Sequence, residues 1–199
     1  MHNHPSSKKQ RTRQFIIKQT APVFNEKGYA ATSLSDLTAV TGLSKGSIYG
    51  NFRNKEELAL CAFEYNAGAI ERSLAEQVRR AETARDKLLA YPLVFRMIYS
   101  SVFASGGCPL LNTAVDSSDT NPELRDAVCG RINNWKKALT AIIEQGMENG
   151  EFIATGSSAQ TAEILICLAE GGYAMSRATA DMNYIESSLS EMERIIHTL

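Results

Sequence analysis

The amino-acid sequence predicts an all-α protein. Apolar residues recur mainly at helical spacing along its 199 residues, and no segment combines sustained apolar–polar alternation with hairpin turn pairs. Glycine and proline divide the chain into segments of helical length. A hydrophobic content of 44% is enough for one good-sized core or two small ones. We therefore expect a three-helix head, defined as residues 8–55, followed by a helical body, residues 56–199.

The head is predicted to contain a helix-turn-helix. A first helix runs from about Arg11 to Lys27 and ends at a glycine, and Pro22 inside it predicts a bend or a later start. A short helix covers Ser33–Thr41, and the tight turn Gly42-Leu43-Ser44 leads into a second short helix over Lys45–Asn51. Two short helices joined by a three-residue turn with glycine match the helix-turn-helix unit.

The body is predicted to be a set of longer helices. The segment from Lys87 is apolar on most sides, which favours a central helix buried all round. Proline suits the first position of a helix, so Pro109 should open a shorter one. The predicted helices are Lys55 to about Ala84, Lys87–Ser105, one from Pro109, Pro122–Gly150, Ser158–Thr179 and Asp181 to the end.

The charge is unevenly distributed along the chain. The formal net charge of the whole sequence is -1. Residues 1–55 hold nine Lys and Arg against two Asp and Glu, net +7, and the remaining residues hold twelve against twenty, net -8. This asymmetry is expected when one end of a protein meets a polyanion and the other does not.

The composition argues against several other classes of protein. The cysteines are far apart with no CxxC pair, and the histidines lie beside the chain ends, which disfavours a disulfide framework, a zinc site and histidine-dependent catalysis. No apolar run has the length of a signal peptide core or a membrane span. We expect a cytoplasmic protein that is not an enzyme and has no metal or cofactor. The residues concerned are Cys61, Cys108, Cys129, Cys167, His2, His4 and His197.

The second short helix of the head has the division of side chains that a helix in a DNA major groove requires. Ile48 and Phe52 should face inward, whereas small and hydrogen-bonding side chains should face outward. Lys55 and the free N–H groups at the start of the next helix form a candidate phosphate site. The candidate DNA-binding residues are Thr32, Ser33, Ser44, Lys45, Gly46, Ser47, Tyr49, Gly50, Asn51 and Lys55.

The segment KGYAATSLSDLTAVTGLSKGSIYGNFRNKEELALCAFEYN resembles the DNA-binding region of TetR-family transcriptional regulators, over about Arg13–Phe63. The resemblance implies a homodimeric repressor on a near-palindromic operator, released by a small effector bound in the body. It implies phosphate contacts from Thr32, Tyr49 and Lys55. Many members carry an aromatic residue and a histidine where this chain has Gly50 and Asn51, so operator preference does not carry over.

The effector region also resembles part of the family. The block GGCPLLNTAVDSSDTNPELRDAV is similar to one found in a subset, some of whose members sense electrophiles or oxidants through a cysteine. A helix start favours the thiolate of Cys108, although a small buried hydrophobe is the alternative. We expect a hydrophobic or electrophilic effector in an apolar pocket, with Arg96 as a further polar candidate. The candidate effector residues are Phe63, Phe95, Met97, Tyr99, Phe103, Cys108, Asn112, Trp135, Glu170 and Tyr173.

The last two predicted helices have faces that suit close helix packing. The first carries a stripe of small residues, and the second keeps a seven-residue apolar rhythm like a coiled-coil seam. This combination favours a dimer interface, with burial inside the chain's own core as the alternative. The candidate interface residues are Ala162, Ala169, Gly172, Ser176, Ile185, Leu189, Met192 and Ile196.

Two other classes of function account for less of the sequence. An all-α enzyme would need a catalytic constellation, and the sequence offers neither an interior histidine nor a clustered pair of carboxylates. A helical scaffold would explain the seam but not the basic head. Sequence-specific DNA binding without turnover would separate the predicted regulator from both.

Overall fold

The computed structural model describes residues 8–117, 121–153 and 156–199, and over these ranges the chain forms helices and no strand. This confirms the prediction of an all-α fold. The helices are α1 Lys8–Ala31, α2 Leu34–Thr41, α3 Lys45–Tyr49, α4 Lys55–Arg80, α5 Ala84–Ala104, α6 Pro109–Ser117, α7 Pro122–Glu148, α8 Ser158–Thr179 and α9 Asn183–Thr198.

The first helix departs from its prediction at both ends. It begins at Lys8, with Pro22 inside it, and the backbone leaves helical geometry at Gly28, where φ is 80°. A side chain would be strained in this left-handed conformation, so glycine serves the kink. A last short helical stretch then ends at Ala31. The interruption therefore lies at the glycine rather than at the proline.

The head is held together by side chains from α1 to α4. Its cluster of buried apolar residues includes Ile16, Leu37, Ile48, Phe52 and Leu58. Serine and asparagine side chains accept backbone N–H bonds at the starts of α2, α3 and α4, which satisfies donors that the helices leave unpaired. The helix-turn-helix thus has a buried rear face and fixed helix starts.

Helix α4 belongs to both parts of the molecule. Its first turns bury Leu58, Ala62 and Phe63 in the head cluster, and Ile70, Leu74 and Val78 pack against the cluster of the body. The predicted domain boundary at residue 55 coincides with the start of this helix and stays a prediction. A continuous helix of 26 residues therefore connects the two clusters.

The predicted dimer residues of α8 and α9 are buried against one another inside one chain. A Cβ atom at Gly172 would lie 2.9 Å from Ile185 Cδ1, and Ser176 Oγ accepts a hydrogen bond of 2.9 Å from the Ile185 N–H. The prediction that they contact a second copy is wrong, because residues already buried cannot present that surface. The buried residues to which this correction applies are Ala162, Ala169, Gly172, Ser176, Ile185, Leu189, Met192 and Ile196.

A different face of α8 is left uncovered. Ile164 and Met175 are 45% and 49% exposed, and Cys167 and Gly171 between them are exposed as well. Their spacing of three or four residues places them on one side of the helix. The exposed α8 face is defined here by these four residues.

In the described ranges, no single helix is long and apolar enough to cross a membrane. Helices α5 and α6, bent by 57° from one another, satisfy length and composition only as a pair.

Candidate nucleic-acid interface and body cavity

The front face of the helix-turn-helix is open. Ile48 and Phe52 are fully buried, so the opposite face of α3 is turned outward. Among the ten predicted DNA-binding residues, six are exposed. The exposed ones are Ser33, Ser44, Lys45, Gly46, Tyr49 and Gly50.

The other four predicted residues are less accessible. Ser47, Asn51 and Lys55 are the half-buried residues, and Thr32 is buried. The structure brings nine of the ten predicted residues to the surface around α3 and the starts of α2 and α4. Whether they contact DNA stays a prediction.

Thr32 is the exception because its side chain serves the fold. It is 1% exposed, and its hydroxyl donates a hydrogen bond of 2.6 Å to the Gly28 carbonyl oxygen. This bond ties the end of α1 to the start of α2. The predicted phosphate contact is not available to the Thr32 side chain in this arrangement, whereas the neighbouring Ser33 is exposed.

Neither Gly46 in α3 nor Gly50 just after it has the positive φ that would require glycine. Gly50 has φ of −71°, and Gly46 is helical without a positive φ. A Cβ atom at Gly46 would have Ser44 Oγ as its nearest neighbour, at 4.0 Å, which is ordinary van der Waals contact. Because glycine weakens a helix, its presence at Gly46 favours a reason outside the fold, such as close approach of DNA.

Lys55 is held above an aromatic ring at the start of α4. Its Nζ lies 4.4 Å from the centre of the Tyr29 ring, and the Tyr29 hydroxyl donates a hydrogen bond of 2.6 Å to Glu56. Burial and the Glu56 carboxylate raise the pKa of Tyr29 to about 12. The cation–π contact limits the conformations of the lysine and leaves its charge near the free N–H groups of the helix start.

Arg13 has a structural role that the sequence analysis missed. Its guanidinium donates to the Asn51 carbonyl oxygen at 2.5 Å and to Glu57 at 2.7 Å, and it lies 4.1 Å from the centre of the Phe52 ring. The Arg53 N–H and the Arg13 side chain lower the pKa of Glu57 to about 2. Part of the positive charge of the head is therefore used inside the protein, and counting charges cannot show which part.

A large cavity lies in the body between α4, α5, α7 and α8. Its volume is about 860 Å³, within the usual range for small-molecule sites. Five of its lining residues were predicted from the sequence: Phe95, Cys108, Trp135, Glu170 and Tyr173.

The other predicted effector residues lie elsewhere. Phe63 is buried in the head cluster, Met97 is 66% exposed, and Asn112 donates hydrogen bonds to Asn25 and Gly106. Tyr99 and Phe103 pack against the body core without lining the cavity. These five assignments are corrected, because an apolar or aromatic residue type does not reveal which cluster it joins. Arg96 is also elsewhere, paired with Glu186 and Glu193.

One wall of the cavity was not predicted at all. It is formed by α4, through residues that include Ile70, Leu74 and Val78 at four-residue spacing. This spacing was visible in the sequence and identifies an apolar face. Beside this face, Arg131 of α7 forms ion pairs with Glu64 and Glu71 of α4.

Cys108 is a buried thiol rather than an activated one. Its Sγ lies 3.3 Å from Glu170 Oε1 and donates a hydrogen bond to it. Burial and the neighbouring Glu170 carboxylate raise the pKa of the Cys108 thiol well above its usual range. These effects outweigh the influence of the helix start, so the structure favours the alternative of a small buried hydrophobe over a favoured thiolate.

The residues that line the cavity include aromatic rings and buried polar atoms without a hydrogen-bond partner. Trp135 stacks with Tyr91 at 6.5 Å between ring centres and meets the Phe95 ring edge to face at 5.6 Å. Within the described residues, Trp135 Nε1, Tyr173 OH and Glu170 Oε2 are buried without a hydrogen-bond partner. Burial raises the pKa of Glu170 to about 7.

The head is joined to the turn that precedes Cys108. Asn25 of α1 donates hydrogen bonds of 2.7 and 2.9 Å to the carbonyl oxygens of Ser105 and Gly107. A Cβ atom at Gly106, where φ is 94°, would lie 2.9 Å from Glu26 Cα. The head therefore contacts the body next to the cavity wall.

Metal chemistry has no visible site in this part of the protein. In residues 8–117, 121–153 and 156–199, no three His, Cys, Asp or Glu side chains are grouped closely enough to hold a metal ion. His2 and His4 lie outside the described residues.

Comparison with known proteins identifies the family. The family model described as "Bacterial regulatory proteins, tetR family" matches residues 16–61, and "Tetracyclin repressor-like, C-terminal domain" matches residues 84–192, more than half of the chain. The chain belongs to the TetR family. It is therefore a DNA-binding transcriptional regulator, and dimers and small-molecule effectors are typical of such proteins.

Solved TetR-family structures and curated relatives agree with this assignment. A TetR-family regulator from Cytophaga hutchinsonii is 43% identical, with 98% of each chain covered and a TM-score of 0.92. A TetR regulator from Chloroflexus aurantiacus is 35% identical, with 96% of each chain covered and a TM-score of 0.90. The fatty acid metabolism regulator protein of Bacillus subtilis is 26% identical over 136 residues, 68% of each chain.

Proposed function

We propose that this TetR-family regulator is a homodimeric repressor that leaves a near-palindromic operator when a small hydrophobic molecule fills the body cavity. The observation that carries the proposal is the cavity of about 860 Å³, one wall of which is α4. The same helix begins in the head beside α3. A ligand that moves α4 would therefore change the position of the DNA-binding surface.

The exposed α8 face supports the dimer. Four neighbouring positions, Ile164, Cys167, Gly171 and Met175, leave an apolar strip in contact with solvent in the single chain. Burying such a strip is favourable, and a second copy offers the same strip in a symmetric pair. Two heads of such a dimer would bind successive major grooves about 34–36 Å apart.

Two contacts support coupling between cavity and head. Arg131 ties α7 to α4 through Glu64 and Glu71. On the other side, Asn25 of the head binds the turn that leads into Cys108. Ligand binding that favours one arrangement of these walls shifts the dimer toward it, and operator affinity falls if that arrangement has the wrong head spacing.

Non-covalent binding is favoured over reaction with Cys108. The GCPLLN block resembles a subset with sensing cysteines, but a thiol with a raised pKa is a poor nucleophile. If the effector is non-covalent, Cys108→Ser retains induction. Loss of induction by electrophiles in this variant, with alkylation of the wild-type thiol, would favour the electrophile mechanism instead.

Selection of bound DNA from random sequence tests the proposal. We expect a near-palindromic site, with binding that weakens as salt rises. Repeating the selection with a panel of hydrophobic compounds should identify some that release the DNA. Absence of any preferred sequence would contradict the operator, and undiminished binding in the presence of cavity-filling compounds would contradict release.

A further inference from the structure

Glu170, which lines the cavity, carries a carboxylate that forms no ion pair with any residue that the structure describes. Glu170 Oε1 accepts the Cys108 thiol, and Oε2 is buried without a partner. Among the described residues that line the cavity, Arg131 is the only basic one, and it already forms ion pairs with Glu64 and Glu71. A buried ionised carboxylate without a partner is costly, so the site favours a ligand that supplies positive charge.

The aromatic rings that line the same cavity suit the same kind of ligand. Tyr91, Phe95, Trp135 and Tyr173 all line the cavity, and their rings contact one another in stacked and edge-to-face pairs. The face of an aromatic ring attracts cations, and it does so more strongly where water is excluded. The ring faces and the carboxylate therefore both favour a cationic ligand.

We propose that the cavity takes a hydrophobic organic cation, with its ammonium group beside Glu170 and its apolar part along the α4 wall. This inference rests on the proposed function, because it names the class of effector that the same cavity binds. An uncharged hydrophobic molecule would fill the volume but supply no positive charge to the Glu170 carboxylate. A carboxylate ligand would place a second negative charge beside the first.

The proposal has a definite pH dependence. Burial raises the pKa of Glu170 to about 7, and a cation prefers its ionised form. The affinity for a permanently charged ammonium should therefore rise by about tenfold between pH 6 and pH 8, as the ionised fraction rises. The titratable or charged groups that face Glu170 or the same cavity are Cys108, Tyr173, Tyr91, Glu64, Glu71 and Arg131.

Fluorescence of Trp135, the one tryptophan of the sequence, gives a direct measure of occupancy. Three probes share one apolar body and differ in charge: phenylhexyltrimethylammonium, phenylheptanamide and phenylheptanoate. We expect the affinity for the ammonium at pH 8 to be higher than that for the other two probes by about tenfold or more. Equal binding of all three, or tighter binding of phenylheptanoate, would overturn the proposal.

A single variant isolates the carboxylate. Glu170→Gln should lower affinity for the ammonium by about tenfold or more, remove its pH dependence and leave phenylheptanamide nearly unaffected. Glu144→Gln, on the exposed side of α7, is the matched control and should change nothing. If Glu170→Gln does not fold, the pH series on the wild-type protein decides: constant affinity between pH 6 and pH 8 contradicts the proposal.

Operator release is measured separately, so the two proposals can fail separately. If the ammonium binds by these criteria but the operator complex persists, the ligand class stands and the release mechanism fails. If uncharged hydrophobic compounds release the operator and the ammonium does not bind, the repressor mechanism stands and the cationic effector is wrong.

Discussion

Single residues of the head divide into those that maintain the fold and those that remain available to DNA. Arg13 and Thr32 belong to the first group because their polar atoms are bonded inside the head. Lys45 and Gly46 belong to the second because they are exposed on α3. Both groups contribute to the same sequence pattern, so substitutions are needed to separate them.

Removal of the Arg13 side chain should destabilise the head. Arg13→Ala removes bonds to the Asn51 carbonyl and to Glu57, and we expect a loss of about 1–3 kcal/mol in the free energy of unfolding. Denaturant unfolding measures it, with the exposed Arg11→Ala as control. Equal stability of the two variants would contradict the assigned role.

The same ion pair predicts a dependence on acid. The pKa of Glu57 is lowered to about 2 in the folded protein, so its contribution to stability is complete above its ordinary pKa and is lost as pH falls toward 2. Unfolding measured between pH 5 and pH 2 should show a smaller loss in Arg13→Ala than in the wild type. Parallel curves would exclude this contribution.

A methyl group at Gly46 should separate DNA binding from stability. Gly46→Ala meets no close neighbour and should stabilise α3 by up to about 1 kcal/mol. If α3 approaches the groove closely, operator affinity falls at the same time. Gly130→Ala on α7, also without a neighbour within 4 Å, is the control and should leave DNA affinity unchanged. Full operator affinity in Gly46→Ala would contradict the close approach.

At the scale of elements, sequence patterns predicted where the helices lie more successfully than which helices pack against one another. The turn at Gly42 and the cap at Ser44 depend on residues a few positions away, so the helix-turn-helix could be read locally. The small stripe of α8 and the seam of α9 were correctly seen as packing faces, but each is covered by the other. Periodicity shows that a face is buried and does not show against what.

The cavity illustrates the same difference. Phe95, Trp135 and Glu170 could be selected by residue type, whereas the raised pKa of Cys108 depends on a residue 62 positions away. The predicted effect of the helix start on Cys108 depended only on residues next to it in sequence. Burial and the distant carboxylate then determined the actual chemistry of the thiol.

The junction between α1 and the α5–α6 turn should tolerate little change. Gly106→Ala places a methyl group against the α1 backbone in a left-handed conformation, and we expect a loss of about 2–4 kcal/mol in stability. Gly42→Ala is the control, with a similar φ but no atom within 4 Å, and should cost only about 1 kcal/mol. Thermal unfolding compares them, and equal losses would exclude a close contact at Gly106.

The start of α4 allows a test of the predicted phosphate contact. Lys55→Ala should weaken binding to all DNA sequences alike and reduce the slope of log affinity against log salt by about 1 for each head. Lys137→Ala, exposed on α7, is the control for loss of charge alone. A slope unchanged from the wild type would remove Lys55 from the interface.

At the scale of the whole molecule, charge and symmetry act together. The total of -1 conceals a basic head and an acidic body, and the body should repel phosphates and confine contact to the heads. Pairing through the exposed α8 face would present two heads to one DNA site. Operator affinity should therefore depend on a surface far from the DNA.

A charge on the exposed α8 face should separate the subunits. Met175→Glu places like charges together in a symmetric pair, and we expect a shift to monomer with loss of operator affinity while the chain stays folded. Analytical ultracentrifugation and circular dichroism measure the two properties. Ser190→Glu, exposed on α9, is the control. A dimer that persists in Met175→Glu would place the interface elsewhere.

In the proposed release mechanism, the continuous α4 helix would act as a lever. Its 26 residues span about 39 Å, so a rotation of about 5° about the cavity end displaces the head end by roughly 3.5 Å. In a symmetric dimer the two displacements add when the levers swing in opposite directions, changing the head separation by roughly 7 Å, a fifth of a DNA turn. In this mechanism, a ligand needs to rearrange only a few side chains at the cavity end of α4 to misalign both heads with their grooves.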